Sequence, residues 1–434
     1  MIKKMSLTKK IFISMFLGAL LGIIIQRINS DFIKETLILN GIIKVLSNLF
    51  LSSIKMMVVP LVFVSLTCGA ASIENIAKLG KIGGKTLLFY VSTTCIAITI
   101  GIALALLIKP GIGLNISNLL VSETNISQST SFVDIIIGIV PTNPFQSLVN
   151  GDMLQIIVFA ILLGISISLV GEKGKILKNA FESLNEVVMK IVEIVMSFAP
   201  IGIFALMTNT FATIGFSAML PLLKYMFVIL FALLIHSVVI YGGMLKIFTR
   251  LSIKPFLKKF TKPASIVFST ASSNAALPVT IDAVNEMGVD NTVSSFTIPL
   301  GATINMDGTA IMQGVAAIFI AQVYNIDLSL TSILTIILTA TLASIGTAGV
   351  PGVGMIMLSM VLQSVGLPIE GIGLILGIDR ILDMCRSTVN TMGDCICTII
   401  VSKSENYFDE KKYYSFSDNE DSLNDYYENV DNSF

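Results

Sequence analysis

Charge is what this chain has least of. Asp, Glu, Lys and Arg make up 13% of its 434 residues, about half the usual share in soluble domains, while 54% are hydrophobic and the mean hydropathy is +0.87. That shortage excludes an ordinary soluble domain and leaves a polytopic membrane protein. The 28 basic side chains balance 28 acidic ones, and without a basic patch interleaved with aromatics nothing suits nucleic acid. Histidine occurs once, as His236 in FALLIHSVV, where an intramembrane ring satisfied by its neighbours is a better reading than a ligand or a proton relay. Cys68, Cys95, Cys385, Cys395 and Cys397 lie in apolar segments, where free cysteine behaves as a small hydrophobe. Cys395 and Cys397 lack CxxC spacing, so neither a structural disulfide nor a metal cluster is expected. HExxH, GxSxG and GxxxxGKS are also missing, which argues against an enzyme.

Long uncharged runs are what the chain has instead. Those at 86–108, 153–171 and 225–245 are each long enough to cross about 30 Å of hydrocarbon. The run 11–26 follows Lys3, Lys4, Lys9 and Lys10 without a small-residue cleavage site, so it reads as a first span rather than a signal peptide, with the amino terminus cytoplasmic. Further spans are expected at 39–71, with Lys55 and Pro60 inside; at 133–171, broken at PTNPF; at 187–213, with Glu193 and Pro200; and at 220–247. Lys55 is expected to snorkel or pack. Lysine clusters near 78–85, 173–178 and 254–262, and the Lys/Arg-free stretch 111–131, fit six spans of alternating sidedness. Beyond Lys403 the polar, acidic, tyrosine-bearing end is expected to be a disordered cytoplasmic tail.

After Lys262 the spans break up. Residues 263–281 are about one membrane long, yet their middle reads STASSNAALP; residues 328–369 are too long for one span and are interrupted by ASIGTAGVPGVG. Two half-helices meeting at a polar tip fit both, because irregular backbone survives at membrane depth only under cover of protein or a polar cavity. The first leads to the motif NMDGT at Asn305, the second to NTMGD at Asn390. The last part of the chain before the tail therefore reads as two copies of a hairpin followed by a broken helix, a pattern that points to a secondary transporter's binding site.

The second of these helices carries the sequence GIDRILDMCRSTVNTMGD. At about 100° per residue, Asp379, Asp383, Arg386, Asn390 and Asp394 fall within roughly 80° of one another. Ionisable groups at membrane depth each cost on the order of 3 kcal/mol unless they face partners, water or ions, so this stripe is a candidate site. With Asp307 and Arg380 included, the buried groups sum to about −2; an amino-acid dicarboxylate would make that about −3, which about three monovalent cations would neutralise. Obligatory cation coupling is expected, with Na⁺ favouring the carboxylate, carbonyl and hydroxyl oxygens that the two motifs supply. Arg386 offers a bidentate fork to a side-chain carboxylate, and Asp383, one turn away, can hold an ammonium. Half-helix tips suit the substrate's other carboxylate.

These segments, together with IKMMVVPLVFVSLTCGAAS and PTNPFQSLVNGDMLQIIVFA, closely resemble the dicarboxylate/amino acid:cation symporters, the glutamate transporter family, over about 7–403. The resemblance implies an all-α membrane fold of eight transmembrane helices and two re-entrant helical hairpins with inverted repeats, assembled as a homotrimer in the plasma (inner) membrane with both termini cytoplasmic. It implies scaffold helices 1–2 at 1–72, helix 3 of a transport domain and a loop at 73–132, scaffold helices 4–5 at 133–217, helix 6 of the transport domain at 218–250, a transport core at 251–403 and a tail at 404–434. The function implied is sodium-coupled symport of acidic amino acids, L-glutamate or L-aspartate, by an elevator movement, gated by the second hairpin.

Residue by residue, the resemblance implies a substrate pocket of Arg386 for the side-chain carboxylate and Asp383 for the amino group, completed by Asn390, Ser387, Thr309, Ser273, Val350 and Gly354. One sodium site would use Gly301, Asn305, Asn390 and Asp394; a second Thr303, Ser344, Ile345 and Thr347; a third Tyr90, Thr93, Thr94, Asn305 and Asp307. Na⁺ is the coupling ion, with no other cofactor. Thr93 and Thr94, on an apolar helix, would otherwise be read as bonding the preceding turn. The chain departs from the family's pattern at Ala271 and Met384, which stand at two alternative arginine positions, and Ser387 replaces threonine. Arg380, about 100° from Asp379 on the helix, projects off the stripe and its role stays open. Gln313 stands where proton-coupled animal members have glutamate, which favours Na⁺ coupling. The alternatives are a symporter of neutral amino acids, cystine or C4-dicarboxylates in the same family and, in another class, an ion channel, which would need a continuous pore.

Overall fold

The computed structural model describes residues 7–28, 32–71, 80–114, 137–215, 219–345, 349 and 352–415. It is nearly all helical. The only strand-type pairing among these residues is one isolated antiparallel bridge, between Val289 and Phe408. Five of its helices are long and apolar enough to cross a membrane, or six if one bent pair is a single span.

The first part of the chain builds one packed body. Helix α1 (Leu7–Gln26) lies along α7 (Ala199–Thr213). Gly18 and Gly22 make this possible, because a Cβ on either would strike the α7 backbone at Phe204 and Thr208, the close approach that small residues permit between apolar helices. Helix α2 (Lys44–Ala71) continues a π-helical stretch, Phe32–Ile43, and packs on α5 (Met153–Leu169), α6 (Lys175–Ser197) and α7. Between α6 and α7 the axis bends by 49° at Pro200, where a missing backbone donor is tolerated in a first turn. The expected break at PTNPF is the start of α4 (Pro144–Asn150), where the Asn143 side chain caps the amides of Phe145 and Gln146.

The second body is assembled around α3 (Lys81–Ile108), α13 (Asp307–Val323) and α17 (Asp379–Ser404). Also in it are α8 (Met219–Ile235), which passes through a π turn at His236–Tyr241 into α9 (Gly242–Thr249). Two helical hairpins complete it: α10 (Ile253–Thr270) with α11 (Leu277–Glu286), and α14 (Leu330–Ser344) with α15 (Val353–Ser364). Their tips meet, since Gly349 O accepts from Ser272 Oγ at 2.7 Å and from Asn274 N at 3.4 Å.

Two readings need correction. Only one of the two polar motifs interrupts its helix: α12 (Asn291–Ile304) stops at Asn305 and Met306 before α13 begins, whereas α17 runs unbroken through Asn390–Asp394. The unbroken helix serves the broken one, because Asn390 Oδ1 accepts the free amide of Gly308 at 2.7 Å and Asn390 O accepts from Asn305 Nδ2 at 2.9 Å. A second break would have left the first without those partners.

The other correction concerns the tail expected from 404. The chain stays ordered to Ser415 through α18 (Glu410–Tyr414). Tyr407 O accepts the Asp290 amide at 3.0 Å, and the Asp409 amide donates to Gly288 O at 2.7 Å. Tyr413, fully buried, donates to Ser252 O at 2.8 Å. The remainder, 416–434, lies outside the described residues.

Candidate functional site

The stripe on α17 is buried as its spacing implies. Arg386 is fully enclosed, and Asp379, Asp383, Asn390 and Asp394 are all buried beside it. The Arg386 fork is closed on its own helix: Nη1 donates to Asp379 Oδ1 at 2.6 Å and Nη2 to Asp383 Oδ1 at 2.9 Å. Its Nε has no partner among the described residues, which is costly for a buried donor. Arg380 comes back to the site after all. Its Nη1 lies 3.6 Å from Asp383 Oδ2, and its Nη2 donates to Thr270 O at the first hairpin's tip, at 3.5 Å.

Part of the rest of the expected substrate set is close by. Thr309, in the first turn of α13, and Gly354, at the start of α15, both approach the guanidinium: a Cβ on Gly354 would touch Thr309 Cγ2 and Arg386 Nη2. Ser273 is buried against Gly349 at the joined tips. Ser387 is half-buried, and its carbonyl takes the Thr391 hydroxyl. Val350 lies outside the described residues.

A second cluster sits under the α12–α13 break. Asn305 Nδ2 donates to Asp394 Oδ1 at 2.9 Å, while Asn305 Oδ1 is a buried acceptor with no partner among the described residues. Gly301 is pressed against Asp394 Oδ1 and the Tyr90 hydroxyl, so that any side chain there would overlap both. Gly301, Asn305, Asn390 and Asp394 are thus brought together as one set. Of the third set, Thr93 only bonds back to Tyr90 O at 3.1 Å, as an apolar helix would have it, but Thr94 bonds Tyr90 O at 2.8 Å and also Asp307 Oδ1 at 2.6 Å. Tyr90 donates to Thr297 O at 3.2 Å.

The second set is not drawn together in the same way. Thr303 and Ser344 each turn their hydroxyl to their own helix, at Leu300 O and Thr341 O; Ile345 ends α14, and Thr347 lies outside the described residues. The oxygen-only character of the first and third sets, with a spare buried acceptor at Asn305, fits a hard monovalent cation.

Two further residues belong to this cluster. Asp307 Oδ2 accepts from Tyr241 Oη at 2.7 Å and faces His236 Nε2 at 2.9 Å. His236 is thus satisfied on one ring nitrogen only. Nothing in an α-helical reading pairs it with Tyr241, since five residues put them about 140° apart. The π turn closes i to i+5 and brings the two rings to 4.5 Å.

A family model described as the sodium:dicarboxylate symporter family matches residues 7–404. The chain belongs to that family. The proton/sodium-glutamate symport protein of Bacillus caldotenax is 39% identical over 92% of this chain and 95% of its own. The proton/glutamate-aspartate symporter of Escherichia coli (strain K12) is 36% identical over 95% and 96%. The C4-dicarboxylate transport protein of Bacillus subtilis (strain 168) is 34% identical over 94% and 96%. The chain is therefore a symporter of this membrane-transport family and not an enzyme, and the buried acids of α13 and α17 lie in a transporter's interior.

Proposed function

We propose that this symporter carries L-glutamate or L-aspartate together with sodium ions. The observation that carries the reading is Arg386, completely buried and held between Asp379 and Asp383 beneath two hairpin tips. A lone buried guanidinium is costly and pairing offsets much of that cost; the two acids hold both Nη groups of the fork in place before substrate binds. A substrate's side-chain carboxylate replaces Asp383 on the fork, and the released Asp383 turns to the substrate's ammonium. That exchange gives each charge a partner before and after, and it selects a molecule carrying both an acid side chain and an amine. A C4-dicarboxylate offers Asp383 no cation.

The cations have their own oxygens under the helix break, at Asn305, Asp307, Asn390 and Asp394. They offset the added negative charge, which is the physical reason for coupling. The body built on α3, α8–α15 and α17 is read as the moving part and that built on α1, α2 and α5–α7 as a trimeric scaffold. The two hairpins are read as re-entrant, with eight transmembrane helices around them and both chain ends on the cytoplasmic side of the plasma (inner) membrane.

Proteoliposome uptake of labelled glutamate, aspartate and succinate under separately imposed Na⁺, H⁺ and K⁺ gradients tests this. The expected result is accumulation of one or both amino acids driven by inward Na⁺ alone. Succinate as the better substrate would replace the proposal with C4-dicarboxylate transport, and uptake driven only by a proton gradient would remove sodium.

A further inference from the structure

We propose that His236 and Tyr241 are positioning residues for Asp307, locking its carboxylate so that it presents one oxygen to a coupling cation. The proposal rests on the sodium-coupled reading and goes beyond it, since neither residue was among those the resemblance assigned.

Asp307 is fully buried in the first turn of α13, just after the helix break. A carboxylate has about four lone-pair sites. Two donors, Tyr241 Oη at 2.7 Å and His236 Nε2 at 2.9 Å, converge on Oδ2, and only Thr94 Oγ1, at 2.6 Å, takes up Oδ1. The oxygen with spare capacity is thus Oδ1, on the side of α3. The second spare acceptor in the cluster is Asn305 Oδ1, whose own amide nitrogen is held by Asn390 O and Asp394 Oδ1.

Both donors come from the π turn, and the site is shaped to admit them. A Cβ at Gly393 would overlap the Tyr241 hydroxyl and Asn305 Nδ2, so α17 carries glycine where the Tyr241 phenol enters. His236 is buried, with no partner for Nδ1 among the described residues. A ring tolerated at that depth with one nitrogen unsatisfied is explained by what the other nitrogen holds.

The test is sodium titration of the purified transporter without substrate, read by thermal unfolding in a choline background, for wild type, His236→Leu, His236→Gln and Tyr241→Phe. Hydrogen bonds to a charged group set the scale. His236→Leu is expected to raise the half-saturating sodium concentration about tenfold, Tyr241→Phe to raise it by a few-fold to tenfold, and His236→Gln, which keeps a donor, to stay within about threefold. Half-saturating substrate at saturating sodium should move less than about twofold.

Unchanged sodium titrations in His236→Leu and Tyr241→Phe, or equal loss of melting temperature with and without sodium, overturn the inference. If His236→Leu does not fold, Tyr241→Phe, which removes one hydroxyl, decides alone. A wild type that gains no stability from sodium sinks the coupling reading itself, a result distinct from variants that titrate like wild type.

Discussion

Arg386 is held by Asp379 and Asp383, of which only Asp383 has a second cation beside it, Arg380, and this fixes what its removal does. Arg386→Ala would leave Asp379 an uncompensated buried charge and Asp383 with Arg380 alone at 3.6 Å, at a cost of about 3–5 kcal/mol. Uptake of glutamate and aspartate should fall at least a hundredfold, and the melting temperature should fall with it. The double variant Arg386→Ala with Asp379→Asn separates the two effects, because it removes one stranded charge and should recover much of the stability without recovering acidic-substrate uptake. Aspartate uptake at wild-type rate by Arg386→Ala would contradict the assigned role. This ladder was legible in the sequence because it obeys the period of an ordinary α-helix, with Asp379, Asp383, Arg386, Asn390 and Asp394 all on one face. The pairing of His236 with Tyr241 was not, because it depends on one local widening of the helix. Arg380 was hidden for a different reason: its long side chain reaches round from another face to Asp383, and spacing reports where a side chain starts, not where it ends.

At the scale of elements, the first group of helices packs on the second at several places, and one of the contacts is an ion pair. Lys55 on α2 pairs with Glu370, in the turn before α16 (Ile372–Ile375), at 2.7 Å. Lys55 thus has a fixed partner where snorkelling or packing was expected. Burial pushes the Glu370 carboxyl up, but the hydrogen bond and charge of Lys55 outweigh it and hold the group below its ordinary range. A depressed carboxyl contributes stability above its unfolded pKa and loses it as pH falls through the folded value, so this link weakens only in acid, below the ordinary carboxylate range. Both side chains are well exposed, and the pair is worth at most about 1 kcal/mol. If α2 belongs to a fixed scaffold and Glu370 to a moving part, the pair must break in each cycle. Glu370→Gln is then expected to raise turnover at saturating substrate by up to about fivefold, and an unchanged or slower rate would count against a crossing of that interface. The strap 405–415 makes the opposite kind of prediction. Deleting 416–434 should leave uptake and melting temperature alone, whereas deleting 405–434 removes the bonds at Gly288, Asp290 and Ser252, together with the Lys412 and Tyr413 carbonyls that hold Lys259 Nζ. Its melting temperature should drop by several degrees. The strap escaped the sequence reading because composition averages over a window, and its one buried anchor, Tyr413, stands among charged and polar neighbours.

For the whole molecule, the informative feature is what a single chain leaves uncovered. On α6, Leu184, Val187, Ile191 and Ile194 are 44%, 55%, 37% and 54% exposed. Alongside them runs the Lys190–Glu193 ion pair, at 2.6 Å with side chains 71% and 65% exposed. Neither ordinary surrounding suits this surface. Water would leave the apolar strip wet, and hydrocarbon would charge about 3 kcal/mol for each ion. Another copy of the chain laid against α6 covers the strip and leaves the pair at a polar rim, which is the arrangement a closed symmetric oligomer provides. The expected assembly is three chains, about 140 kDa of protein from subunits of 46.7 kDa, measured by light scattering in detergent and unchanged on dilution. Val187→Cys should then give an oxidant-dependent dimer band absent from the unmodified chain, whose five cysteines are buried or half-buried. A mass of one chain at every concentration, with no cross-link at Val187, would leave α6 facing lipid and remove the scaffold from the proposed mechanism.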